Sequence, residues 1–378
     1  MKAKWQISFF LVFSILVYFT FWNYNNRVYD WDMPGYIGTV YTWEFPNNPE
    51  KVHQLTFSSI KKEAFDLHYK DLVGTSPVDI PRQVFEKNTQ SFTEQLPYYQ
   101  IKIGYNLVIA FFYKLGLSSP MSVLFVSLIS YFFSGLLLFY ILKIVFPENY
   151  IIAIFITLGA ALLPPMTYMA RAPLPDMFIF QFMLVFIIAM IKKWQKWWAF
   201  LLLFVITFIR PDYITFTLTY LFAATYLFYL KEKKIDIALI LQGTILMVLY
   251  FGIMKYYNYP GWKDLFYDSF MDRRPIISAQ PANFTVKDYL DIIYIKIIYF
   301  KKVTLSVTIM ISVVFWLSKD VWVRVIALLF LVNVYIKFFF FPQSAALRFF
   351  FPFIFPLFIM MLYAISKKYN GFKLNKIP

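Results

Sequence analysis

The chain contains no cysteine, which excludes a disulfide framework and any thiolate metal site. Histidine is almost absent as well: His53 and His68 are the only two in 378 residues. With no third ligand in an evident pattern, both read as surface residues and not as a metal centre. Charge is scarce, at 15% of positions, where a soluble domain usually carries about 25%. No internal repeat, no low-complexity segment and no soluble domain with its own core pattern is visible. Apolar residues fill the gap, at 60% of the chain, with 22% aromatic and 46 Phe. That much apolar surface needs lipid to cover it, and Tyr and Trp suit the headgroup level. The Lys, Ile, Phe and Asn bias is that of an AT-rich bacterial genome, and so points to a bacterial inner membrane.

A spanning helix needs about 20 apolar residues, and shorter ones are tolerated inside a bundle. Spans are expected at about 6–23, 120–142, 150–167, 177–191, 197–209, 213–230, 236–255, 303–317, 322–341 and 348–366. The fold class is therefore all-α, a polytopic helical bundle of about ten transmembrane helices in a single membrane domain, 1–378. Lys2 and Lys4 before the first apolar run resemble a signal peptide, but the run is long and aromatic with no small-x-small cleavage site, as in an uncleaved anchor. The span at 197–209 is short and runs into Arg210-Pro211-Asp212, which suggests a broken helix.

The net charge of +15 raises nucleic acid as a partner, but its placement argues against one. With both termini cytoplasmic, the inside segments hold fifteen cations, among them Lys143, Lys192, Lys193, Lys196, Lys231, Lys233, Lys234, Lys319, Arg324, Lys367, Lys368, Lys373 and Lys376, against four acids. The rest of the chain keeps twenty-one cations and seventeen acids, from totals of 36 and 21. Most of the net charge is thus a positive-inside topology signal. Counting residues 101–116 as a span would reverse the sidedness of the lysine-rich segments. They are therefore expected outside, as an interfacial or re-entrant helix. Two outer loops are then large: 24–119, and 256–302, which closes in the amphipathic run DYLDIIYIKIIYF.

Just outside the first span stands Tyr29-Asp30-Trp31-Asp32-Met33-Pro34-Gly35-Tyr36. Two carboxylates at the outer lipid surface can serve as a general base on an acceptor hydroxyl, or bind a divalent cation through hard oxygens. A solvated acidic turn is the bland reading of the same residues. Arg171 and Asp176 share a short proline-stiffened connection, Arg210 precedes Asp212 at the next outer one, and Arg348 opens the last span. Charges at membrane depth are costly and tend to be functional, and a guanidinium fork suits phosphate oxygens. Local pairing with the nearby Asp, or snorkelling to headgroups, is the alternative for each.

The order of these features resembles the GT-C superfamily of polyprenyl-phosphate-sugar-dependent membrane glycosyltransferases, related to the protein mannosyltransferase and aminoarabinose transferase types. The acidic motif after the first span, the stretch YYQIKIGYNLVIAFFYKLGLSSPMSVLFVSLIS, the Ala170-Arg171 to Asp176 spacing and the late run Ala346-Leu347-Arg348-Phe349 with Pro352 and Pro356 carry the likeness. It covers roughly residues 5–215 and one short C-terminal motif. Two departures stand out: no large C-terminal soluble domain follows, and ten spans are fewer than in several branches.

The resemblance implies a sugar transferred on the outer face from a polyprenyl-phosphate donor to a glycan, lipid or protein acceptor. It makes Asp32 or Asp30 the catalytic base, with Asp32 favoured because the turn through Tyr36 would hold it at a helix start. It makes Arg171 and Arg348 donor-phosphate ligands with Arg210 as a further candidate. Asp176 would orient the site through Arg171, and Arg273 and Arg274 are supporting loop candidates. One leaving phosphate needs less neutralisation than a diphosphate, so no metal or other cofactor is required, although Asp30 and Asp32 leave a divalent cation open. Rival readings are a transporter or flippase of lipid-linked saccharides, which expects inverted repeats, a polysaccharide polymerase or ligase with its key Arg residues in a late loop, and a non-enzymatic structural membrane protein.

Overall fold

A computed structural model describes residues 2–343 and 347–369 of the chain. Among these residues the regular structure is entirely helical. Six helices are long and apolar enough to cross a membrane: Ala3–Asn25, Ser119–Val145, Pro211–Glu232, Ile237–Tyr256, Val321–Phe340 and Phe351–Lys368. Two bent pairs raise the number to eight if each is one span. The protein is a polytopic helical membrane protein. All ten apolar segments expected from the sequence are helical, but Pro175–Ile191 and Lys196–Ile209, at 17 and 14 residues, are shorter than the six. At 1.5 Å per residue the latter reaches only about 21 Å.

The breaks have local causes. Tyr150–Ala161 and Pro164–Arg171 meet at 57° because Pro164 and Pro165 supply no amide hydrogen and clash with the preceding turn. Lys196–Ile209 stops because Pro211 disfavours helical geometry at Arg210, which is extended at φ −148°, ψ 91°. The amphipathic Val286–Tyr299 helix joins Lys301–Leu317 at 68°.

Ser119–Val145 is the central helix, packed by Lys2–Asn25, Tyr150–Ala161, Pro164–Arg171 and Pro175–Ile191. Its buried Ser127, Ser130, Ser134 and Gly135 keep that approach close; a Cβ at Gly135 would stand 2.6 Å from Leu16. Small residues let helices approach in lipid, where no hydrophobic force drives them together. At one end of the bundle the Trp5 indole donates to the Pro147 carbonyl at 3.0 Å and Lys196 pairs with Asp236. The lysine-bearing turns lie toward this end. The opposite end carries the long connections and the candidate residues.

Residues 26–118 form the first long connection. They hold seven α-helices, in line with helices expected in this connection, and Val52, Phe57, Ile60, Phe85, Phe92 and Leu96 there join the same buried apolar cluster as the bundle. His53 is part of this core and not a surface residue: it is 8% exposed, with Nδ1 3.0 Å from the Thr89 hydroxyl and Nε2 3.2 Å from the Phe85 carbonyl. The ring bridges two helices that a solvated side chain would leave apart. His68 is half-buried beside Tyr29, at 5.9 Å between rings. The apolar segment 101–116 forms Ile103–Lys114, too short at about 18 Å to cross a bilayer.

Candidate functional site

Asp30 and Asp32 sit in the turn between the first helix and Met33–Glu44. Asp32 is the N-cap residue of that helix, which Pro34 starts without losing a needed donor. Arg348 lies in the single turn Leu347–Phe349 that leads into Phe351–Lys368. The fold brings the three together across more than three hundred residues: Arg348 Nη1 is 3.7 Å from Asp30 Oδ2, and Nη2 is 3.6 Å from Asp32 Oδ2. Ala346 of the same sequence motif lies outside the described residues.

Both contacts are longer than a charge-assisted hydrogen bond, which runs about 2.7–2.9 Å. Arg348 Nε and Nη1 are buried and have no acceptor among the described residues. A buried donor left unpaired calls for an explanation. The guanidinium also lies over Phe349 at 4.7 Å and Tyr168 at 5.7 Å. It is positioned by rings as much as by charge.

Two tyrosines that the sequence did not single out complete the carboxylate pair. Tyr168 donates to Asp30 at 2.9 Å and Tyr99 donates to Asp32 at 3.3 Å. Burial first, and then the Asp32 charge, push the Tyr99 hydroxyl upward, so it stays a donor. Burial and the neighbouring Asp32 also raise the Asp30 carboxyl, against the pull of Arg348. Such a group takes up a proton at a higher pH than an ordinary aspartate. Tyr99 reaches Asp32 because Gly35 leaves it room: a Cβ there would stand 2.3 Å from the Tyr99 ring.

Below this pair lies a second charge group. Arg210, 6% exposed, donates to Asp176 at 2.5 Å and to Asp212 at 3.1 Å, and Lys337 pairs with Asp212. Asp176 therefore supports Arg210 and not Arg171, the partner expected for it. Arg210 is extended off its helix end by Pro211, and that geometry lets it reach both acids. Lys102 links the groups. Its ammonium donates to the Tyr36 hydroxyl at 2.7 Å and rests on the Tyr36 and Tyr99 rings at 4.9 and 5.2 Å. Burial lowers it to about 8, against the pull of Asp32. Tyr36 is fully buried beneath it, edge-on to Tyr99 and Tyr105.

The remaining candidates separate. Arg171 makes no ion pair with Asp30 or Asp32 among the described residues: its Nε donates to Asn23 at 3.0 Å and its guanidinium lies over Trp22 at 4.1 Å, while its carbonyl accepts from the Val28 amide at 3.0 Å. Arg274 is fully buried, bonded to Asp268 at 2.7 Å and Asp264 at 2.8 Å, which raises it above the ordinary arginine value. It holds the second long connection together. Arg273 does reach the site, over the Trp31 ring at 5.0 Å.

The donor set fits anion chemistry better than a cation site. Both carboxylates face a guanidinium, and among the described residues no cluster of three His, Asp or Glu side chains is placed to hold a metal. Beside Lys102 an apolar groove of about 280 Å³ is lined by Ile103, Phe208, Val248, Leu249, Gly252, Ile253, Tyr256 and Tyr257. No protein-family model matches the chain, and no curated protein or solved structure matches it either.

Proposed function

We propose that this protein is a GT-C-type glycosyltransferase of the bacterial inner membrane, with about ten spans and both termini cytoplasmic. It transfers a sugar from a polyprenyl-phosphate carrier to a glycan, lipid or protein acceptor on the outer face. The observation that carries this reading is the Asp30–Asp32–Arg348 group, in which a carboxylate pair shares a guanidinium that still has two buried donors to give. Phosphate oxygens are suitable acceptors for such a fork. The groove beside Lys102 is lined mostly by apolar residues of Lys196–Ile209 and Ile237–Tyr256, which suits an isoprenoid chain entering from the bilayer.

The chemistry is a single in-line displacement at the anomeric carbon. Asp32 takes the proton of the acceptor hydroxyl as its oxygen attacks. The carbon–oxygen bond to phosphate breaks, and its electron pair leaves with the phosphate, where Arg348 meets the developing charge. Tyr99 holds Asp32 in place, and Asp30 with Tyr168 keeps Arg348 from swinging away. Arg210 is engaged by Asp176 and Asp212, so it supports the charge group beneath the pair and is not a direct phosphate ligand. Asp30 is the alternative base. The experiment that tests the reading is cleavage of a synthetic polyprenyl-phosphate sugar by purified protein, with Asp32→Asn as control. Cleavage lost in the variant supports it; a donor that is moved intact across liposomes supports a transporter.

A further inference from the structure

Trp31 stands between the two carboxylates in sequence and is half-buried. Phe85 backs the indole at 4.7 Å between ring centroids. Two guanidiniums lie over it, Arg273 at 5.0 Å and Arg82 at 5.6 Å. They come from different parts of the chain, Arg82 from Ile80–Lys87 and Arg273 from the connection after Trp262–Phe270. The connection bearing Arg273 is fastened to Thr89–Gln95, the helix that follows Ile80–Lys87: Ser91 donates to the Pro275 carbonyl at 2.5 Å, and Glu94 accepts from the Ser278 amide at 2.9 Å.

Neither arginine is committed to a carboxylate among the described residues. Arg82 donates from Nη1 to the Asp71 carbonyl at 3.1 Å, and Arg273 from Nη2 to the Gln95 side chain at 2.8 Å. Each keeps most of its five donors. Arg274, one residue on, shows the contrast, since its charge is spent on two aspartates inside the fold. Arg274 thus serves the fold and has no charge left for a ligand, whereas Arg82 and Arg273 do. Two unpaired arginines converging on an aromatic ring beside a candidate catalytic pair form a recognition surface for something anionic.

We propose that Trp31, Arg82 and Arg273 form the acceptor subsite, and that it takes a saccharide carrying a carboxylate or phosphate group. The term acceptor rests on the glycosyltransferase reading; the binding of an anionic saccharide does not. The guanidiniums hold the anionic group, which keeps it from the nearby Asp30 and Asp32, while the indole under them holds the two cations together. The hydroxyl to be modified then lies toward Asp32.

The test is equilibrium binding to the full-length protein in detergent, using trigalacturonate, a glycerol-phosphate trimer and neutral maltotriose as probes. At least one anionic probe should bind at least about tenfold more tightly than maltotriose, a margin equal to about one charge-assisted hydrogen bond. Preference between the two anionic probes assigns the group as carboxylate or phosphate. Binding should weaken with added salt and drop by a similar factor in Arg82→Gln with Arg273→Gln. The Arg82→Lys, Arg273→Lys pair keeps the charge and should retain most of the salt-sensitive binding, and an unchanged elution volume shows that both forms fold. Equal binding of neutral and anionic probes, no binding of any, or an unaffected Gln variant overturns the proposal. Donor cleavage is measured separately on the same preparations, so a failed transferase reading and a failed subsite are told apart.

Discussion

At the scale of single residues, the account turns on what each carboxylate and guanidinium touches. Asp32→Asn keeps size and loses only basicity, so donor cleavage should fall about 10²–10⁴-fold with the elution profile unchanged; full activity would move the role to Asp30. Arg348→Ala should raise the donor KM as well as lower kcat, because a phosphate ligand acts in both ground and transition states. Lys restores little, lacking the planar fork. Asp30 gives a pH prediction. Its carboxyl is raised by burial and by Asp32, so it is protonated on acidification before an ordinary aspartate would be, and the acid limb of the rate profile starts at higher pH. Asp30→Asn removes that titration and one negative neighbour, and the limb measured in the variant should move to lower pH. Sequence reading found Asp30, Asp32 and Arg348 because charge beside an apolar run is rare. It missed Tyr99, Tyr168 and Lys102, since tyrosines and interfacial lysines are abundant in such a chain. Tyr168 had one signal, lying a helical turn before Arg171.

At the scale of elements, the site depends on how closely Met33–Glu44 packs on the segment bearing Tyr99. Gly35→Ala would force the Tyr99 ring aside, and overpacking of this kind costs about 1–3 kcal/mol. A lower thermal midpoint in detergent together with lost donor cleavage is the expected result, and a neutral variant would show that the approach is looser. Arg210→Leu leaves Asp176 buried without its partner, a change that typically costs about 3–5 kcal/mol. The midpoint should drop more than in any surface arginine variant. The pairing of Asp176 with Arg210 was not legible, because both had closer sequence partners in Arg171 and Asp212, and only the extended Arg210 backbone decides between them. The burial of His53 was legible in principle. Val52, His53, Thr56, Phe57 and Ile60 recur at three- and four-residue spacing, one face of an amphipathic helix. The span positions were readable because lipid allows few ways to satisfy a backbone.

At the scale of the whole molecule, the claim is that the end bearing Asp32 and Arg348 faces outward. Single cysteines at Glu50 and Lys287, both exposed, should react with an impermeant thiol reagent in intact cells, and one at Gln195 only after lysis. Labelling of Gln195 from outside would invert the topology and remove the outer-face site. The composition supported this sidedness because lysines mark one end, and the structure places the charge network at the other. Within the first connection the short helices Asp66–Val73, Ile80–Lys87, Thr89–Gln95 and Pro97–Gln100 were hidden from sequence, because periodicity is weak over so few residues. The central claim is that this charge network cleaves a lipid-linked sugar, and one measurement meets it directly. Purified protein in liposomes is given polyprenyl-phosphate hexoses labelled in the sugar, and free polyprenyl phosphate is counted against intact carrier. The account predicts that at least one donor yields free polyprenyl phosphate, and that Asp32→Asn abolishes the yield. Intact carrier from every donor, with label crossing the bilayer still attached, would contradict it.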